Sequence, residues 1–170
     1  DRIFEAYKKI SKKFSCEYII NLQGDEPFIN PKDIVKLNNN IISKNSDIGT
    51  LGNKITKVDF IDKSIVKVIT NNNIEKKKIS RAKKFLRKCK HTKKNTYGHI
   101  GIYQFRTSIL KKFVNLRQSK NEIKHRLEQL RAIENGINID VVYSKNKSFG
   151  IDTVEDLSLI HISEPTRLTS

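Results

Sequence analysis

Apolar residues recur along this chain at two spacings, and the spacings predict its elements. Ile3, Phe4, Tyr7, Ile10 and Phe14 fall about three or four apart over residues 1–14, the stripe of a helix with lysines on its other face. Residues 17–22 form a short apolar strand that stops at Gly24-Asp25-Glu26-Pro27. Asn30-Pro31 then opens a second helix, with proline at its first position and Ile34, Val35, Asn38, Ile41 and Ile42 on one face. Residues 48–55 and 65–70 read as strands, Asn71-Asn72-Asn73 as a turn, and 74–80 as the return strand of a hairpin.

The second half repeats the alternation. Residues 99–106 alternate as a strand, placing His99, Gly101, Tyr103 and Phe105 on one side and Ile100 and Ile102 on the other. Thr107 is expected to cap a short helix carrying Ile109, Leu110 and Phe113. Ser119 and Glu122 form a capping box, and the helix they open turns Ile123, Leu127, Leu130 and Ile133 inward until Gly136 ends it. A buried strand covers 137–143, and Gly150-Ile151-Asp152-Thr153 makes a second acidic strand end, with Thr153 capping the next helix. Strands alternating with helices predict an α/β domain.

Two carboxylates at strand ends change this from a fold to a candidate site. Open α/β sheets bind ligands beyond the carboxyl ends of their strands, so Asp25 and Asp152 stand where a metal-nucleotide enzyme needs acids. Each has an ordinary alternative: Gly-Asp is turn punctuation, and an acid before Thr153 suits any helix entry. His99 and Tyr103 read equally as structural strand residues, and Glu128-Gln129 as helix surface.

With 170 residues, 36% of them hydrophobic, the chain has the size of one domain. A net charge of +16 points to polyanions, yet 26 of the basic residues are lysine and 8 arginine, in a chain crowded with Ile and Asn. That composition fits an A/T-rich coding sequence filling solvated faces. The densest basic stretch, 76–94, holds Phe85 as its one aromatic, so it lacks a stacking platform for single strands. A basic nucleic-acid-binding module remains an alternative on charge alone, and no nucleic-acid partner is expected. Cys16 and Cys89 have neither zinc nor CxxC spacing and are expected to be reduced. No apolar run approaches the roughly 20 residues a bilayer requires, so no membrane association and a cytoplasmic location are expected.

Four separated segments occur in order: Asn21-Leu22-Gln23-Gly24-Asp25-Glu26-Pro27; Ser80-Arg81-Ala82; His99-Ile100-Gly101-Ile102-Tyr103; and Leu127-Glu128-Gln129-Leu130-Arg131 followed by Gly150-Ile151-Asp152. The set resembles the 3-deoxy-manno-octulosonate (Kdo) cytidylyltransferases over residues 1–157. The resemblance implies a Rossmann-like nucleotide-diphospho-sugar transferase fold with a central mixed, mostly parallel sheet flanked by helices. It implies CTP and Kdo as substrates, CMP-Kdo and pyrophosphate as products in lipopolysaccharide synthesis, Mg2+ as cofactor, and a homodimer. It assigns Asp25 and Asp152 to catalysis and the metal. Arg81, His99, Tyr103, Glu128 and Gln129 go to the sugar acid, and Gln23 and Arg2 to the nucleotide.

The likeness departs at Lys83-Lys84-Phe85-Leu86, where the family has an Ile-Pro-aromatic run, so a sialic-acid-like acceptor stays open as a second enzyme reading. Asp1-Arg2 matches the end of the family's Ser-Gly-Thr-Asp-Arg motif. The chain is therefore expected to lack the first strand and the phosphate loop, and to be impaired as a fragment. Residues 158–170 resemble translated sequencing-adapter read-through and are expected to be a non-native tail.

Overall fold

A computed structural model describes residues 2–89 and 94–147. The element order is α1 (Arg2–Ile10), β1 (Tyr18–Asn21), α2 (Pro31–Ser43), β2 (Ile48–Asn53), α3 (Lys57–Ile61), β3 (Lys67–Thr70), α4 (Ile74–Lys77), β4 (Ile79–Leu86), β5 (Thr96–Arg106), α5 (Thr107–Val114), α6 (Lys120–His125), α7 (Gln129–Glu134) and β6 (Ile139–Ser144). Six strands form one sheet in the order β1-β5-β2-β6-β4-β3. It is a mixed sheet flanked by helices, as expected. Among the described residues, however, only β2 and β6 pair in parallel, and the other pairings are antiparallel. The expectation of mostly parallel pairing is corrected by β5, which runs against β1, β2 and β3 alike.

Eleven residues long, β5 also closes the sheet on itself. Its start, Thr96 to Gly98, pairs with β3, while its end, Tyr103 to Arg106, pairs with β1. Along its other side it follows β2, with a register shift between Thr50 and Leu51, which face Tyr103 and Ile100. Such a bulge bends a strand and re-aims its side chains.

Helices cover two apolar clusters. Leu37 and Ile41 of α2 pack with Leu51, Ile100, Ile102 and Val142. Leu110 and Phe113 of α5, with Leu127, Leu130 and Ala132, pack against Ile48, Phe105, Ile139 and Val141. The buried face of α2 thus centres on Leu37 and Ile41, and Val35 and Ile42, expected inward, are exposed. Asn30 caps α2 through its side chain and Pro31 follows at its first position, as the sequence predicts.

Four local expectations are corrected. The first helix ends at Ile10; Ile3 and Phe4 pack on the core, but Ile10 is 55% and Phe14 67% exposed, so the predicted stripe is covered only at its start. Residues 74–77 form a helical turn rather than a strand, because the Asn73 side chain accepts from the Lys76 amide and Lys78, at φ 64°, turns the chain into β4. Thr107 does not cap α5: its hydroxyl donates to Cys16 O, and Arg106 occupies the cap position. The helix opened by the Ser119-Glu122 capping box breaks at Arg126, which takes the left-handed conformation at φ 52°, and Ile123 is left 63% exposed.

That break divides one amphipathic pattern into α6 and α7. A buried ion pair rejoins them: Arg131 Nε and Nη2 donate to the two oxygens of Glu122 at 2.9 and 2.6 Å, with the guanidinium over the Phe113 ring. The fork geometry suits arginine and a carboxylate. It fixes the turn that carries Glu128 and Gln129.

Candidate functional site

The open side of β5 builds the site. Alternate residues of that strand present their amides to one edge, and three elements meet there in turn. The His99 amide donates to Val66 O at 2.8 Å, the Gly101 amide to the Glu26 carboxylate at 3.0 Å, and Tyr103 pairs with Asn21 of β1. Between β3 and β1 no strand among the described residues neighbours β5 at Gly101, and the Glu26 side chain fills the gap. Glycine suits this point because a Cβ would lie 3.1 Å from Glu26 Oε1.

A cleft of about 890 Å3 opens over this edge, within the range typical of small-molecule sites. Its floor is His99, Gly101 and Tyr103; the turn after β1 supplies Gln23, Asp25 and Glu26. Opposite stand the α3–β3 loop and the break between α6 and α7, with Arg126, Glu128 and Gln129. Arg87 joins from the end of β4, its guanidinium donating to His125 O and Arg126 O at 3.2 and 3.3 Å. Buried Lys67 ties two walls together by donating to Asp62 O and Arg87 O, and burial lowers its pKa. A smaller hollow of about 50 Å3 shares Gln23, Tyr103, Glu128 and Gln129 with the cleft.

Six of the residues singled out in the sequence therefore come together: Gln23, Asp25, His99, Tyr103, Glu128 and Gln129. Arg81 and Arg2 do not. Arg81 is exposed on β4 opposite Asp140 of β6, at the far end of that strand from Arg87, and neither Arg81 nor Arg2 lines the cleft. Asp152 lies outside the described residues, as do Thr153 and the segment 158–170. Arg87, Arg126 and Glu26 were missed. A strand-end arginine within the basic stretch 76–94 carried a signal for Arg87; the roles of Glu26 and Arg126 depend on the gap beside β5 and the helix break, which no local pattern announces.

The aromatic groups are electrically quiet. His99 sits between Phe85, whose ring meets it edge-on at 5.2 Å, and Tyr103, at 5.4 Å. Burial among these rings holds its pKa down, at about 3, so the imidazole is neutral at ordinary pH. Tyr103 is pushed well above the usual phenol range by burial and then by the charge of Glu128, so it remains a hydroxyl donor.

Among the described residues no cluster of three or more His, Cys, Asp or Glu side chains is placed to hold a metal. Asp25 is exposed at the cleft lip, and no group among the described residues pairs with it. One free carboxylate fits Mg2+, which is commonly held by one or two carboxylates together with substrate phosphates and water. It does not fit a closed protein cage. Asp59 and Asp62, also in the cleft, are engaged by Thr56 and Lys147 and by Ser64 respectively, and these bonds lower both pKa values.

Residues 1–141 match the family model described as Cytidylyltransferase. The chain belongs to the cytidylyltransferase family. It is 42% identical over 172 aligned positions to the 3-deoxy-manno-octulosonate cytidylyltransferase of Thermodesulfovibrio yellowstonii, covering 94% of this chain and 66% of that protein. The enzyme of the same name from Parabacteroides distasonis is 37% identical, covering 92% and 66%. The chain thus spans just under two thirds of the length of these curated relatives. Among solved structures, CMP:2-keto-3-deoxy-manno-octonic acid synthetase complexed with CTP superposes with a TM-score of 0.81 at 28% identity, over 95% of this chain and 67% of that one. The inositol-1-phosphate CTP transferase of T. maritima shares the fold, with a TM-score of 0.56 at 19% identity, over 94% of this chain and 59% of that one. No helix among the described residues is long and apolar enough to cross a membrane.

Proposed function

We propose that this chain carries the sugar-acid side of a CTP:Kdo cytidylyltransferase, joining the sugar hydroxyl to the α-phosphate of CTP with release of pyrophosphate. The observation that supports this most directly is the convergence of Gln23, Asp25, His99, Tyr103, Glu128 and Gln129, drawn from three separated motifs, on one cleft. Relatives 37–42% identical bear that activity as their name.

In this reading the floor of β5 and the break before α7 hold the hydroxylated ring. Neutral His99 and the Tyr103 hydroxyl on the floor and the Gln129 amide at the α6–α7 break provide acceptors and donors, and Glu128 accepts from sugar hydroxyls. Arg87 and Arg126 face the anionic groups in place of Arg81. Asp25, with Asp152 from outside the described residues, would hold Mg2+ against the nucleotide phosphates. When bound, the ion offsets repulsion between the triphosphate and the sugar acid and polarises the phosphorus centre. The protein's own share is positioning, which carries much of the rate in phosphoryl-type transfers. A cytoplasmic homodimer belongs to the same reading, and sedimentation of the chain measures its assembly directly.

The test is pyrophosphate release from CTP and Kdo with Mg2+, using the chain fused to the segment of the T. yellowstonii relative that it does not span. Turnover with Kdo and none with a sialic acid supports the reading. Preferential turnover of the sialic acid moves the acceptor, and inactivity with both, in a folded fusion, overturns it.

A further inference from the structure

We propose that Thr50 is a positioning residue that locks His99 in one tautomer, with its proton on Nε2, so that Nδ1 is left as a hydrogen-bond acceptor for a ligand hydroxyl. Thr50 is fully buried on β2, directly at the register shift against β5. Its hydroxyl oxygen lies 2.7 Å from Ile102 O, 3.2 Å from Ile100 O and 2.9 Å from His99 Nε2.

Proton counting settles the roles. Neither carbonyl has a hydrogen to give, and two oxygens at 2.7 Å with no proton between them repel, so the hydroxyl proton must point at the carbonyls. Thr50 has only that one proton. Toward His99 it can therefore act only as an acceptor, and Nε2 must be the donor. A neutral imidazole carries a single N–H, so the proton on Nε2 leaves a lone pair on Nδ1. No hydrogen bond engages Nδ1 among the described residues, and His99 lines the cleft. The low pKa of the half-buried ring agrees, because it excludes the doubly protonated form at ordinary pH.

The consequence is a matter of specificity. A protonated histidine would attract a phosphate or carboxylate; a neutral ring fixed as an acceptor reads a hydroxyl and rejects an anion at the same place. That step rests on the proposed function, whereas the tautomer does not. The bulge supplies the device: it turns two β5 carbonyls toward one β2 side chain, and their demand for a donor fixes the polarity of the next bond.

The experiment is 15N-resolved NMR of the histidine side chains in the free chain, with the His99 signals assigned by their loss in His99→Gln. The expected result is a pyrrole-type nitrogen at Nε2 and a pyridine-type nitrogen at Nδ1. Its Nε2 proton should be slow to exchange and show an NOE to the Thr50 side chain. Thr50→Ser should preserve this pattern, and Thr50→Val should shift it to a tautomer mixture. A pyridine-type Nε2 in the wild-type chain overturns the proposal, as does a Thr50→Val spectrum unchanged from wild type. If Thr50→Val does not fold, absence of the protected Nε2 proton and its NOE in the wild type is decisive. Because no substrate is present, failure here is separate from failure of the fusion to turn over Kdo.

Discussion

The Gly101 amide donates to Glu26 Oε1 at 3.0 Å, and through that bond a loop side chain takes the place a neighbouring strand's carbonyl would fill. The bond pins the turn bearing Asp25 against the floor bearing His99 and Tyr103. Without it, the Gly101 amide and the acidic turn would both lose this anchor.

Replacing Glu26 by Ala is accordingly expected to cost about 0.5–1.5 kcal/mol, the usual net worth of one hydrogen bond, because the part-buried Gly101 amide borders the cleft and water can take the vacated place. Glu26→Gln keeps an oxygen acceptor and should cost less. Urea unfolding gives the stability, and amide exchange at Gly101 locates the effect. A Gly101 amide protected equally in wild type and Glu26→Ala contradicts the anchoring role.

The Glu122–Arg131 pair is the second anchor. Both groups are buried, so removing one strands the other's charge, and Arg131→Met or Glu122→Gln is expected to destabilise by about 3–5 kcal/mol. Replacing both by apolar residues of similar size should recover much of the loss. A double variant no more stable than either single one would show that the pair is not the source of the cost.

A third prediction concerns pH. His99 has its folded pKa lowered to about 3, against an ordinary value of 6.5, so between these values the unfolded chain binds the proton and the folded chain does not. Stability from this group is complete above about pH 6.5 and is lost as pH falls toward 3. Solvent reaching the half-buried ring limits the contribution to a few kcal/mol at most, at about 1.4 kcal/mol per unit of displacement. The ring's carbon-bound proton should therefore show no titration step between pH 8 and 5. A midpoint near 6.5 in the folded protein would refute this.

Much of this site is legible in the sequence because its parts lie in short motifs. The alternation through 99–106 put His99 and Tyr103 on one side, and the Gly24-Asp25 stop put a carboxylate at a strand end. Several of the local departures share one cause, which is that long-range contacts overrode local pattern; the 74–77 turn, set by the Asn73 cap, is a local exception. The stripe Ile123-Leu127-Leu130 reads as one helix, yet the left-handed Arg126 and the Glu122–Arg131 pair divide it. Thr107 has a capping residue's chemistry, but Cys16 O claims its hydroxyl. Arg81 matches a family segment near the start of β4, while the arginine that lines the cleft is Arg87, just past the other end of the same strand. The likeness to Kdo cytidylyltransferases could be read from ordered motifs; the three partners along the open edge of β5 could not, since they are far apart in sequence.

Asp25 offers the most direct check on the chemistry. Its carboxylate lines the cleft without a partner among the described residues, so its replacement should leave the fold intact and remove only what it holds for substrate. In the fused enzyme, Asp25→Asn is expected to depress kcat/KM by more than the 10–100-fold that loss of an outer-shell partner typically costs, because in the proposed reading it removes a direct metal ligand. The Mg2+ concentration needed for half-maximal rate should rise in parallel. Thermal unfolding of the unfused chain should move little, since an exposed, unpaired acid contributes nothing to packing. Full activity at unchanged Mg2+ demand would remove Asp25 from the metal site. A large loss of stability would mean instead that the Gly24-Asp25 turn serves the fold rather than the reaction.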